Sequence, residues 1–187
     1  MQLQTPRLCL DALRADDAQA LYACRADPAV ARFQGWCPAD PAEAAGFIER
    51  QAAAPAGVPD SWFQRAIRRR ETGELIGDIG IHLPADGRGS VEFGISIAPA
   101  WQGRGFAGEA LRALFGWVFD QHRGHRIHAS VDPRNEASVA MLRSLGMRQE
   151  AHHRESLWLA GEWVDDLIFA MLEHEWRAQQ AAGRQRG

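Results

Sequence analysis

The sequence predicts an α+β domain built on one mixed β-sheet of about seven strands, flanked by about four helices. Three observations carry this expectation. Residues 62–98 alternate strand-like runs with turn signals, the mark of an antiparallel meander. After residue 99 the order becomes helix, strand, helix and a closing pair of strands, which is not a regular βαβ alternation. A chain of 187 residues, 46% hydrophobic and 24% charged, also has the size and composition of one ordinary domain with its own core. Residues 1–173 are read as that domain, and 174–187 as a tail that starts helical and frays.

Taken in order, residues 7–13 are apolar enough over a short span to form a first strand. Asp16 and Asp17 open a helix running to about Ala26, where Asp27-Pro28 ends it, because the residue before a proline is pushed out of the helical region. Asp40-Pro41-Ala42-Glu43 supplies a cap, a proline at the first position and a glutamate three residues after the cap. That helix carries Phe47 and Ile48 and fades into an Ala/Pro/Gly stretch over 52–59, read as a loop inside the domain. The meander follows: strand 62–70, a turn at Glu71-Thr72-Gly73-Glu74, strand 75–83, a second turn over 84–89 and strand 90–98. A helix over 106–120 places Leu111, Leu114, Phe115 and Val118 at helical spacing. Strand 125–131 leads to helix 135–145, ended by Gly146. Strands 147–158 and 163–172 close the domain around Ala160-Gly161.

Composition excludes several functions. The net charge is −3, from 21 basic and 24 acidic residues, and lacks the basic excess of a nucleic-acid or anionic-membrane binder. Every basic residue is arginine, so Schiff-base and Walker-type lysine chemistry are ruled out. Cys9, Cys24 and Cys37 are odd in number and form no C-x-x-C pair. With no signal-peptide hydrophobic region, they are expected to be reduced, small buried hydrophobes in a cytoplasmic protein. No apolar run reaches the ~18 residues of a membrane span. His125 and His128 fall on opposite sides of an expected strand, as do His152 and His153, so no metal site is expected. Arg68-Arg69-Arg70 reads as a solvated strand end, and Trp36 and Trp62 as core residues or cleft linings.

The segment Trp101-Gln102-Gly103-Arg104-Gly105-Phe106-Ala107-Gly108 carries the most chemistry. A loop with few side chains that enters a helix offers free backbone N–H groups and the positive end of the helix dipole to a phosphate. Gly103, Gly105 and Gly108 also spell G-x-G-x-x-G, and Asp132 lies 24 residues after Gly108, which suggests a nicotinamide-dependent oxidoreductase. Against that, four residues from Pro99 to Gln102 precede the first glycine, and the preceding strand ends a run of hairpins and not a parallel unit.

Beyond these readings, Gln102-Gly103-Arg104-Gly105-Phe106-Ala107 resembles the Q/R-x-x-G-x-G/A signature of the GNAT superfamily of N-acetyltransferases. Glu92-Phe93-Gly94-Ile95, Pro99, Trp101 and Gly108-Glu109-Ala110-Leu111 resemble its ribosomal-protein (Rim-type) branch. So do Thr5-Pro6-Arg7-Leu8-Cys9-Leu10, Asp27-Pro28-Ala29-Val30 and Gly161-Glu162-Trp163-Val164-Asp165. Asn135-Glu136-Ala137-Ser138 followed by Leu145-Gly146-Met147 resembles the branch's second motif, with Met147 in place of an aromatic residue.

The resemblance implies a GNAT fold and direct transfer of the acetyl group of acetyl-CoA to a primary amine, without a metal. The acceptor would be a protein N-terminus or a small-molecule amine, and the protein a monomer or homodimer. It implies that N–H groups from Gly103 to Gly108, with Gln102, Arg104, Phe106 and Ala107, hold the pyrophosphate. Ser96 and Ile97 would pair their backbone with the pantetheine arm where a bulge splays the strand, and Asn135 would hydrogen-bond that arm. Strand alternation puts Glu92 on a face shared with Gly94, Ser96 and Ala98, the place for a general base; pairing with an arginine is the structural alternative. Relatives carry a tyrosine four residues after the position of Ser138, as acid for the departing thiolate. Leu142 stands there instead, which leaves the Ser138 hydroxyl as the thiolate's partner. A non-catalytic acyl-CoA-binding module of the same fold is the alternative function.

Overall fold

The computed structural model describes residues 1–53, 58–85 and 89–184. The expected loop over 52–59 and the second meander turn therefore lie partly outside the described residues. Eight strands form one sheet: β1 (Leu3–Gln4), β2 (Leu8–Asp11), β3 (Ser61–Arg69), β4 (Leu75–Leu83), β5 (Ser90–Ile97), β6 (Arg126–Val131), β7 (Arg148–Leu159) and β8 (Glu162–Leu172). Six α-helices accompany them among the described residues: α1 (Ala18–Arg25), α2 (Pro28–Ala31), α3 (Pro41–Ala53), α4 (Phe106–Gly116), α5 (Glu136–Ser144) and α6 (Glu173–Arg184). The sheet order is β1-β2-β3-β4-β5-β6-β8-β7, and only β5 and β6 run parallel.

The additions to the expected seven strands and four helices have local causes. β1 is two residues long, too short for a periodic signal. Asp27 ends α1 as expected, but its carboxylate also accepts from the Ala29 N–H, and so caps the single turn of α2. The helix expected over 106–120 stops as α4 at Gly116 and continues as a π-helical turn from Trp117 to Gln121. Trp176 of α6 is buried against Phe115 and Phe119, which fixes the start of the C-terminal segment to the core. His125 precedes β6, so the reading of His125 and His128 as two residues of one strand is corrected.

One face of the sheet packs Phe63, Ile79, Ile81 and Phe93 against Leu111, Leu114 and Phe115 of α4 and Val139 and Leu142 of α5. The other face packs Ala66 and Leu75 against Leu21 of α1 and Ala44 and Ile48 of α3. Between the two layers, β5 and β6 pair over only three positions: Ser90 with Arg126, Val91 with Ile127 and Glu92 with His128. Beyond Glu92, β5 stays paired with β4 and β6 with β8, so the two strands part and leave a wedge. No bulge causes this. The register between β4 and β5 is unbroken, and the shifts lie instead at Ile67/Arg68 and within β7. Close approach of β4 to β5 requires Gly77, where a Cβ would fall 2.1 Å from the Ser96 carbonyl oxygen.

Candidate active site

The wedge opens toward the N-terminus of α4. Gly103 and Gly105 have φ of 71° and 78°, left-handed values that let the loop turn its N–H groups toward the helix axis. Gln102 ties the loop to the sheet, its side-chain amide donating to the Ile97 carbonyl at 2.8 Å. From the other side Glu109, in the first turn of α4, accepts from the Thr5 hydroxyl at 2.5 Å, the Arg7 N–H at 2.9 Å and Arg7 Nε at 2.6 Å. Arg7 completes the clamp by donating to the Arg104 carbonyl at 3.1 Å and lying over the Phe106 ring. The guanidinium of Arg104 stacks on Trp101 with its carbon 4.8 Å from the ring centroid.

All the sequence-predicted site residues except Glu92 and Arg104 line one cavity of about 450 Å³: Ser96, Ile97, Gln102, Gly103, Gly105, Phe106, Ala107, Gly108, Asn135 and Ser138. A second cavity of about 240 Å³ continues between the parted strands toward the β7–β8 hairpin. The two share Phe33, Gln34, Ile95, Asn135, Ser138 and Met141, so they adjoin as one cleft. Asn135 caps α5, its Oδ1 accepting from the Ser138 N–H at 3.2 Å, and this fixes the turn that presents the Ser138 side chain. Phe33 and Gln34, which carry no sequence motif, are brought to the cleft by the buried Arg25. Its guanidinium binds Asp78 through two nitrogens and reaches Gln34 Oε1 at 3.4 Å.

Glu92 belongs to the last residue pair before the strands part and lines neither cavity. Among the described residues the ring facing it is that of His128, with Nε2 3.9 Å from Oε2, and no arginine pairs with it. Burial pushes its carboxyl above the ordinary 4.5, with nearby Asp166 adding to the rise and His82 opposing it. Asp132, the one carboxylate that lines the cleft among the described residues, is held below its ordinary range by hydrogen bonds from Arg134. Trp36 stacks on Phe47 and Trp62 is 45% exposed; neither lines the cleft. Burial pushes the Cys24 thiol up to about 12, which leaves it inert. Among the described residues no three His, Cys, Asp or Glu side chains gather as a metal site, and no helix is long and apolar enough to cross a membrane.

A wedge between parallel strands, with a glycine-rich helix N-terminus at one end, defines an acyl-CoA-dependent transferase fold. Residues 7–148 match the family described as acetyltransferase (GNAT) domain, and the chain belongs to that family. It is 29% identical over 175 residues to the uncharacterized N-acetyltransferase p20 of Bacillus licheniformis, covering 93% of this chain and 97% of the relative. It is 34% identical over 83 residues to the [ribosomal protein uS5]-alanine N-acetyltransferase of Escherichia coli, covering 44% of this chain and 43% of that protein. The fold matches a GNAT-family acetyltransferase from Bacillus anthracis with a TM-score of 0.83 at 23% identity, over 94% of this chain and all of that one. Such proteins are N-acetyltransferases; the oxidoreductase reading of the three glycines is set aside.

Proposed function

We propose that the protein transfers the acetyl group of acetyl-CoA directly to the α-amine of a polypeptide. The observation that carries this is the two-part cleft: a glycine-rich loop and helix N-terminus at one end, a second chamber of mixed polar and apolar lining at the other, and Asn135 and Ser138 among the residues they share. The residues present fit the co-substrate. The Ser96 hydroxyl is buried at the cavity wall and has no protein partner among the described residues, so a polar group of a ligand would complete it. Past Glu92 the edge of β5 facing β6 is unpaired, and its N–H and C=O groups can take an extended amide chain. N–H groups of residues 103–108 and the Arg104 guanidinium hold the phosphates.

Acetyl-CoA supplies a thioester whose carbonyl carbon an uncharged amine can attack, with the thiolate as leaving group. Glu92 serves as general base, with its proton affinity raised by burial; it takes the amine proton through a bridging water. The Ser138 hydroxyl donates to the departing sulfur. The acceptor chamber is walled by Phe93, Ile95, Leu142, Leu157 and Trp158, with Gln34, Ser130, Asn135 and Ser138 as uncharged polar groups. Its one carboxylate among the described residues, Asp132, is taken up by Arg134. A polyamine needs several free carboxylates, whereas a peptide presents one amine followed by uncharged groups. Trp158 and Trp163, 58% and 59% exposed at the mouth, provide a platform for the residues that follow.

The test is thiol release from acetyl-CoA with peptides bearing small N-terminal residues, spermidine and an aminoglycoside offered in parallel. Turnover confined to the peptides supports the assignment; turnover with spermidine alone overturns the acceptor class. Glu92→Gln should lower the rate at neutral pH by roughly 10²–10⁴ with acetyl-CoA affinity unchanged. Acetyl-CoA binding without thiol release from any amine would identify a non-catalytic acyl-CoA-binding module.

A further inference from the structure

Asp132 is the only charged residue among the described ones that line the second chamber, and its carboxylate is not free. It follows β6 at the turn into α5, where its carbonyl accepts from the Asn135 N–H at 2.9 Å. The Arg134 backbone N–H donates to Oδ1 at 2.8 Å, Arg134 Nε to both oxygens at 3.0 Å, and Nη2 to Oδ2 at 2.6 Å. Arg134 itself lines neither cavity and its side chain is 54% exposed, so it meets the carboxylate from the solvent side.

The same guanidinium reaches the closing hairpin. Its Nη1 donates at 2.7 Å to Oε1 of Glu162, the first residue of β8. On the opposite strand Leu157, Trp158 and Leu159 line the chamber, and Leu159 pairs with Glu162. Arg134 therefore binds two carboxylates, one on the chamber wall and one beside it. Arg134 and Glu162 are both more than half exposed, so their pair adds little to folding. The consequence is electrostatic. With Arg134 in place the chamber wall carries no uncompensated charge, and a cation entering it would leave water without gaining a counter-charge.

We propose that Arg134 is a specificity-determining residue for the acceptor: by holding the Asp132 carboxylate it keeps the chamber neutral, and so selects amines with uncharged neighbouring groups over polyamines and basic peptides. This rests on the second chamber being the acceptor's, and the experiment separates the two claims. Two peptides share a small N-terminal residue and differ only in Gln or Arg at the second position. Each is titrated calorimetrically into protein saturated with CoA, and its acetylation from acetyl-CoA is measured in parallel. Thermal unfolding is followed in every variant.

The native protein should prefer the Gln peptide. Arg134→Gln should shift the preference toward the Arg peptide by about tenfold, the scale of one added charge near a protein surface. That shift should shrink in about 0.5 M salt. Arg134→Lys, which keeps the charge, should stay near the native preference. The double variant Arg134→Gln/Asp132→Asn should return to it, and Asp132→Asn alone should move it the opposite way. An unchanged preference in Arg134→Gln, beside native peptide binding and turnover, overturns this inference alone. So does a shift that persists in the double variant, which would assign the charge to Glu162. If neither peptide binds while acetyl-CoA does, the peptide acceptor and this inference fall together. If Arg134→Gln does not fold, Asp132→Asn carries the comparison through its opposite sign.

Discussion

Ser138 is the residue whose chemistry can be read most directly from position. It lines both arms of the cleft, and its N–H is fixed by Asn135. Leu142, one turn further along α5, is 2% exposed and has no proton to give. A hydrogen bond to a charged sulfur that forms only as the thiolate departs is worth about 1.5–3 kcal/mol, or roughly 10- to 150-fold in rate. Ser138→Ala should therefore lower kcat by that factor and leave acetyl-CoA affinity intact. Raising the pH should not rescue it, since no titrating acid is lost. A native rate in this variant would return Ser138 to the role of an ordinary helix residue. Arg104 is assigned differently: it does not line the cavity, but its guanidinium stacks on Trp101, which does, and has no ion pair among the described residues. Arg104→Gln should weaken acetyl-CoA binding severalfold in calorimetry, with kcat at saturation unchanged.

At the scale of elements, the helix that matters is α4, and its N-terminal loop is held from outside. Thr5 and Arg7 deliver three hydrogen bonds to Glu109, and Arg7 a fourth to the loop carbonyl of Arg104. Arg7 is about half exposed, so its ion pair adds little to global stability. Its effect falls on loop order. Arg7→Met should leave unfolding nearly unchanged but raise the dissociation constant of acetyl-CoA about fivefold, the equivalent of one hydrogen bond of about 1 kcal/mol. An unchanged dissociation constant would show that the glycines hold the loop unaided. The sequence makes the loop and helix legible because glycine spacing and capping are local signals. It shows Thr5-Pro6-Arg7 and Glu109 as separate motifs, and their contact spans more than 100 residues, where local patterning carries no information. Phe33 and Gln34 lie in a segment expected to meet the acceptor but, for the same reason, carry no motif that local patterning can decode. What brings them to the cleft is the buried Arg25–Asp78 pair, a tertiary contact.

For the molecule as a whole, the same lack of long-range signal hides how arginines are used in the interior. Arg68 reads as part of a solvated basic run, yet it is 4% exposed. Its Nη1 and Nη2 bind the two oxygens of Asp17 at 2.5 and 2.6 Å, and its Nε binds Asp11 at 2.8 Å. This fork joins β2, β3 and the turn before α1, and a lysine could not reproduce it. Burial alone would raise the Asp17 carboxyl, but hydrogen bonds from Arg68 and from the Arg14 backbone, with the charge of Arg68, bring it below its ordinary 3.8. The unfolded chain therefore takes up this proton more readily than the folded one. The resulting stability is fully present above pH 3.8 and is lost as pH falls through the lower folded value. Asp132, lowered by Arg134, acts in the same direction. These two carboxylates should thus make thermal unfolding fall steeply below about pH 4. Asp17→Asn removes the charge and leaves Arg68 with Asp11 alone, a loss near the lower end of the 3–5 kcal/mol for breaking a buried pair. That corresponds to about 6–12 °C in Tm at pH 7 for a domain of this size. The variant should also lose part of the acid dependence, so its deficit against the native protein should narrow at pH 3. A deficit that stays constant from pH 7 to pH 3 would show that Asp17 keeps an ordinary proton affinity in the folded state.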